Sequence, residues 1–168
     1  MVDIYISVGS NVEPVGNIQS GVLGLYRHLG ALRLSRVYES EAIGFAGENF
    51  LNLVVAAQVD LSIAQVGAVL RQIEDEHHRD RGTPRFSPRT LDLDLLLYGD
   101  EVYSQGGVTL PRDEITKNAF VLAPLAELVP DLEHPVLKQS YQALWDGYDK
   151  MSQRLWPIEF EWDASLHS

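Results

Sequence analysis

Along residues 3–8 the apolar side chains Ile4, Ile6 and Val8 alternate with Tyr5 and Ser7. That period of two predicts a strand, broken by Gly9-Ser10-Asn11. Residues 15–29 carry Ile18, Val22, Tyr26 and Leu29 at helical spacing, and Gly30 stops the helix. Leu32, Leu34, Arg36 and Tyr38 alternate again and predict a second strand over 32–38. Residues 39–49, with Gly44 and Gly47, read as a loop, and the apolar run 50–59 reads as a buried strand. Ser62-Ile63-Ala64-Gln65 has the form of a capping box. Ile63, Val66, Leu70 and Ile73 then predict a helix to about residue 78. A strand over 91–98 follows, then a short strand or hairpin before Pro111. Helical stretches are predicted at 118–128 and 141–145.

The order β-α-β-β-α-β predicts an α+β fold of ferredoxin-like type, an α/β sandwich with helices on one face of a mainly antiparallel sheet. With 168 residues, 45% of them hydrophobic, the chain can bury one domain's core. The expected division is a main domain over 1–153 and a C-terminal appendage over 154–168 that packs by its aromatics or frays. All three tryptophans, Trp145, Trp156 and Trp162, lie in the last quarter.

Charge narrows the function classes. A net charge of −11 disfavours general binding of nucleic acid or anionic membrane. The absence of cysteine excludes disulfides, thiolate metal sites and a Cys nucleophile. No apolar run is long enough to span a membrane, and Met1-Val2-Asp3 lacks the basic start of a signal peptide. The expectation is a cytoplasmic protein, a monomer or weak dimer, acting on small molecules. Neither a G-x-x-x-x-G-K-[ST] loop nor a G-x-G-x-x-G turn occurs. His77 and His78 are adjacent on a helix and point apart, so they read as partners of the helix dipole rather than metal ligands.

The chemistry concentrates in Leu91-Asp92-Leu93-Asp94-Leu95-Leu96-Leu97. On a strand, Leu91, Leu93, Leu95 and Leu97 share one face. Asp92 and Asp94 share the other, their α-carbons about 6.6 Å apart. Asp is a poor strand former and two like charges side by side repel, so each needs compensation. A divalent cation such as Mg²⁺ would supply it; a solvated or Arg-paired face is the alternative. Just upstream, Arg71, Arg79, Arg81, Arg85 and Arg89 form a basic island in an acidic protein. Guanidinium forks match phosphate oxygens; neutralising Glu74, Asp75, Glu76 and Asp80 is their alternative role.

Arg85-Phe86-Ser87-Pro88-Arg89-Thr90-Leu91-Asp92-Leu93-Asp94 closely resembles the motif of the 6-hydroxymethyl-7,8-dihydropterin pyrophosphokinase family of folate biosynthesis. Gly9-Ser10-Asn11, Tyr38-x-Ser40 with Gly44, Phe50-Leu51-Asn52, Ile73-Glu74 with Arg79, and Phe120-Val121-Leu122-x-Pro124-Leu125 extend the likeness over about residues 4–150. The resemblance implies transfer of pyrophosphate from ATP to a hydroxymethyl pterin, with release of AMP and use of two Mg²⁺ ions. It implies Asp92 and Asp94 as metal ligands and Arg79 and Arg89 as catalytic charges. Glu74, Arg81, Arg85, Leu95, Thr109 and Arg112 are implied for ATP, and Ser40, Ile43, Phe50, Asn52, Phe86 and Phe120 for the reduced pterin. The chain departs from the family pattern at Ala42 (Pro), Phe86 (Trp), Ser87 (Gly), Arg112 (His) and Asn118 (Arg). These departures bear on ATP affinity and pterin preference. They keep two alternatives open: a weakly active pterin- or nucleotide-binding module, and a pyrophosphokinase for a differently substituted pterin.

Overall fold

A computed structural model of the chain describes residues 1–41, 49–77, 90–162 and 164–167. Strand β1 (Val2–Ser10) and helix α1 (Pro14–Leu29) come first. They are followed by β2 (Leu32–Leu34), β3 (Val37–Ser40) and β4 (Phe50–Val59). Then come α2 (Ile63–His77) and β5 (Asp92–Tyr98), and the hairpin β6 (Tyr103–Gln105) and β7 (Val108–Leu110). Helices α3 (Glu114–Lys117), α4 (Ala119–Leu128) and α5 (Tyr141–Asp146) precede β8 (Leu155–Ile158). The main sheet runs β5-β1-β4-β3-β8, with β2 also on β4, and every described pairing is antiparallel. This is the expected ferredoxin-like arrangement.

Helices cover both faces of the sheet, not one. On the first face α1 and α2 bury Ile18, Val22, Leu25, Val66, Leu70 and Ile73 against Ile4, Ile6, Val8, Leu53 and Val55. Full burial of each such side chain contributes about 1.5–3 kcal/mol. On the second face α4 and its neighbours bury Val121, Leu122 and Leu125 against Tyr5, Val54 and Ala56. Helix α4 is apolar nearly all round because it lies between the sheet and α5.

The local signals act as the pattern predicts. Ser62 and Gln65 form the reciprocal capping box, at 2.9 and 3.1 Å. His77 closes α2 with Nδ1 donating to the Ile73 carbonyl (2.7 Å) and Nε2 lying 2.8 Å from the Ser20 hydroxyl of α1. A Cβ at Gly21 would stand 2.8 Å from Leu91, so the bare backbone there lets α1 press on the residue that leads into β5.

Several expectations need correction. β1 does not break at Gly9; its pairing with β4 continues to Ser10 opposite Leu51. The stretch 32–38 is two strands. Leu34 faces Val55 and Tyr38 faces Asn52, four residues against three, so one extra residue bulges between them. Ser35 fills the bulge, its hydroxyl accepting from the Val54 N–H at 2.9 Å. β5 also bulges: Ile6 faces Leu95 but Tyr5 faces Leu97. Leu96 is the extra residue, and Leu97 joins it in the second core instead of following Leu91, Leu93 and Leu95 into the first. The helix expected over 118–128 forms as α4, capped by Asn118, and the short helix α3 ahead of it had no signal in the pattern. His134, which has no evident partner in sequence, is buried, and its Nδ1 accepts from the N–H groups of Val136 and Leu137. After Gln153 the chain returns to the sheet: β8 pairs with β3, and Ile158, Phe160 and Trp162 pack on the first core.

Candidate active site

The site begins with strand register. Gly9 of β1 lies between Asn52 of β4 and Asp92 of β5, and Ser7 lies between Val54 and Asp94. Directly opposite residues share a face, so Asn52, Gly9, Ser7, Asp92 and Asp94 all look toward α4. A cleft of about 590 Å³ opens over them, lined by Ser7, Ser40, Phe50, Asn52, Asp92 and Asp94 from the sheet. Phe120, Asn118, Glu114, Arg112, Glu74 and Glu41 complete its wall.

Each wall residue is fixed by its element. Asn52 is 3% exposed, and its Nδ2 donates to Ser40 Oγ at 2.9 Å. Phe120 enters on the first turn of α4, and Tyr38 anchors the far end of that helix through its hydroxyl bond to Glu127. Burial, reinforced by Glu127, pushes the Tyr38 hydroxyl up to about 12, so it stays a donor. β5 is an edge strand, and Glu74 reaches from α2 to take the Leu93 N–H at 2.9 Å. The Ser10 hydroxyl, between the carbonyls of Thr90 and Val12, ties the end of β1 to the entry of β5.

Arg112 is pinned by its own N–H to the Leu96 carbonyl at 3.0 Å, the carbonyl of the β5 bulge. Its Nη2 lies 3.3 Å from Asp94 Oδ1 and 3.2 Å from Glu114 Oε1. Burial works against its charge, but Asp94, Glu114 and Asp113 outweigh burial and hold the guanidinium more firmly protonated than usual. Its Nε is buried with no hydrogen-bond partner among the described residues.

Among the described residues the lining carries five carboxylates, Glu41, Glu74, Asp92, Asp94 and Glu114, against one guanidinium, a formal −4. These carboxylates by themselves repel a polyanion. Two aspartates side by side suit Mg²⁺, which is commonly held by one or two carboxylates plus substrate phosphates. Among the described residues no group of three His, Asp or Glu side chains forms a closed metal cage. The donor set therefore fits a metal completed by a ligand.

Of the residues singled out by sequence, Asp92, Asp94, Glu74, Arg112, Ser40, Phe50, Asn52 and Phe120 meet in this cleft. Leu95 is buried in the first core and Thr109 is exposed on β7; neither lines the cleft. Arg79, Arg81, Arg85, Phe86, Arg89 and Ile43 lie outside the described residues, as do Ala42 and Ser87. Ser7, Glu41 and Glu114 were not anticipated. Ser7 had a signal, a polar residue in an apolar strand; Glu41 and Glu114 had none. Gln153 had none either, yet it joins the chain before β8 to the cleft wall. Its Oε1 accepts from the Ala119 N–H at 2.8 Å, and its Nε2 donates to the Lys117 carbonyl and Asn118 Oδ1.

A family model described as 7,8-dihydro-6-hydroxymethylpterin-pyrophosphokinase (HPPK) matches residues 5–130. Relatives named 2-amino-4-hydroxy-6-hydroxymethyldihydropteridine pyrophosphokinase include one from Pseudomonas aeruginosa, 38% identical over 79% of this chain and 83% of its own. One from Bacillus subtilis is 30% identical over 98% of this chain and 96% of its own. The fold is similar to that of a Plasmodium falciparum HPPK-DHPS crystal structure, with a TM-score of 0.68 at 14% identity. The match covers 90% of this chain and 45% of that one.

Proposed function

The chain belongs to the 7,8-dihydro-6-hydroxymethylpterin-pyrophosphokinase family, and from that premise we propose that the cleft over Gly9 is where pyrophosphate passes from ATP to the pterin. The protein transfers the β,γ-pyrophosphoryl group of ATP to the hydroxymethyl group of 6-hydroxymethyl-7,8-dihydropterin and releases AMP. The hydroxymethyl oxygen bonds to the β-phosphorus. The bond from that phosphorus to the α–β bridging oxygen breaks, AMP departs with the bridging oxygen, and the hydroxyl proton is released.

The observation that supports this placement is the cross-strand row Asn52, Gly9, Asp92. It sets a buried amide and a carboxylate pair on one floor, two interstrand spacings or roughly 10 Å apart. At the amide end, Phe50 and Phe120 offer aromatic surface for a flat heterocycle, and Asn52, steadied by Ser40, reads its polar edge. At the other end Asp92 and Asp94 hold Mg²⁺, two ions in this reading. When bound, the metal neutralises the carboxylate wall and the phosphate oxygens, which lets ATP approach. Glu74 orients the strand through Leu93, and Arg112 supplies the one cation among the described lining residues. Arg79 and Arg89 stabilise charge on the transferring group, and Arg81 and Arg85 hold the triphosphate.

AMP release from ATP, with and without the hydroxymethyl pterin, tests the reading. The parent releases AMP only with both substrates. Asp92→Ala and Asp94→Ala fold normally but release it about a hundredfold more slowly or worse. Normal Mg²⁺-dependent release in both variants defeats the assignment. The Arg112 contact with Asp94 favours the second reading, a weakly active binding module. Binding of both substrates by the parent without AMP release would establish that reading instead.

A further inference from the structure

Gly9 breaks a local rule. It sits inside a nine-residue strand, paired on both sides, where glycine costs about 0.5–1 kcal/mol relative to alanine. Its backbone does not demand glycine, since its φ lies outside the left-handed region that Gly30, Gly99, Gly106 and Gly107 occupy. A Cβ at Gly9 would instead stand 2.8 Å from Asn52 Oδ1, nearer than a real Cβ contact tolerates. The other atoms near that Cβ lie at 3.8 Å or beyond, at ordinary contact distance. The space is therefore reserved for one atom, the amide oxygen of a side chain that is almost fully buried and held on its other arm by Ser40.

We propose that Gly9 is a positioning residue for pterin recognition: its missing side chain, with Ser40 on the opposite side, sets the orientation of the Asn52 amide. The proposal rests on Asn52 reading the pterin. An added methyl at position 9 pushes Oδ1 aside. The amide is buried and tied to Ser40, so it moves only by tilting out of its plane or by giving up that hydrogen bond. The conflict falls on the polar group that meets the ligand, while the backbone and both cores are left alone.

The experiment is a four-member cycle: the parent, Gly9→Ala, Asn52→Ala and the double variant. Each is titrated with 6-hydroxymethylpterin by fluorescence and separately with a non-hydrolysable ATP analogue in Mg²⁺, and each is melted. Gly9→Ala should weaken pterin binding roughly tenfold, the worth of one good hydrogen bond, with the nucleotide constant within about threefold of the parent. In the Asn52→Ala background the same methyl should change pterin affinity by less than about twofold, and the melting temperature should hold or rise. Ser40→Ala removes the other restraint without adding an atom, and should also weaken pterin binding and leave the nucleotide constant alone. Parent-like pterin binding by Gly9→Ala, beside a clear loss in Asn52→Ala, overturns the role of Gly9 and leaves the pterin reading intact. An equal loss in both backgrounds overturns it as well. Parent-like binding by Asn52→Ala overturns both.

Discussion

With Asp94 proposed as a metal ligand, its contact with Arg112 gives the cleft its own competitor for metal. At 3.3 Å the Coulomb attraction between the two is about 5 kcal/mol at an effective dielectric of 20 and about 1.3 kcal/mol in water. The side chains are 36% and 35% exposed, so the screened end of that range applies. A net worth of about 1 kcal/mol corresponds to about fivefold in an equilibrium constant. A metal ion on the Asp94 carboxylate would compete with Arg112 for its charge. Arg112→Ala should therefore tighten Mn²⁺ binding about fivefold without nucleotide, measured by electron paramagnetic resonance at low ionic strength. Nucleotide affinity should move the other way. The described lining changes from a formal −4 to −5 and loses a charge-assisted hydrogen-bond donor, which should weaken an ATP analogue about tenfold. Arg112→Lys keeps the charge and should stay near the parent on both measures. Arg112→His should sustain turnover. Free imidazole titrates near 6.5, so this variant should bind Mn²⁺ like the alanine variant at pH 8 and less tightly at pH 5.5. Raising the salt to about 0.5 M should shrink the effect on Mn²⁺. If Arg112→Ala leaves both affinities where they were, or loosens Mn²⁺, the contact with Asp94 plays no part in metal access.

The arginines before β5 should act on the transition state more than on binding. Arg79→Ala and Arg89→Ala should each slow single-turnover transfer about a hundredfold with little loss of pterin affinity, and transfer at the parent rate would reduce them to surface charge. Deleting residues 154–168 uncovers the edge of β3 and strips Ile158, Phe160 and Trp162 from the first core. The truncated chain should melt several degrees lower yet still transfer pyrophosphate when kept cool, and complete loss of substrate binding in a folded truncation would place these residues in the site. Burial lowers the His134 pKa below its usual value, and its Nδ1 accepts two backbone N–H bonds that protonation would break. Folding therefore favours the neutral ring. Its stabilising contribution is full above about pH 6.5 and is lost as the pH falls through the lower folded value. Chemical denaturation between pH 8 and 5 should show this loss, and His134→Ala should flatten that part of the profile.

What the sequence by itself determined is whatever repeats over a few residues. The period of two in residues 4–8, the apolar run over 50–59, the 3.6 spacing from Ile63 to Ile73 and the Ser62–Gln65 box settle their elements, because such signals lie within one segment of the chain. The same alternation set Asp92 and Asp94 on one face, and they reach the cleft together. Only the tertiary structure decided what depends on partners distant in sequence. Leu97 leaves the face of Leu95 because β5 must stay in register with Tyr5 across a bulge at Leu96. The strand over 32–38 divides because Ser35 bonds Val54 of β4, nineteen residues away. Glu74 comes to the edge of β5, Arg112 to Asp94 and Gln153 to the first turn of α4 with no pattern to announce them. Each of these contacts joins segments that are unrelated in local spacing. Strand order, register and the packing of helices on two faces bring them together, and these are properties of the whole sheet.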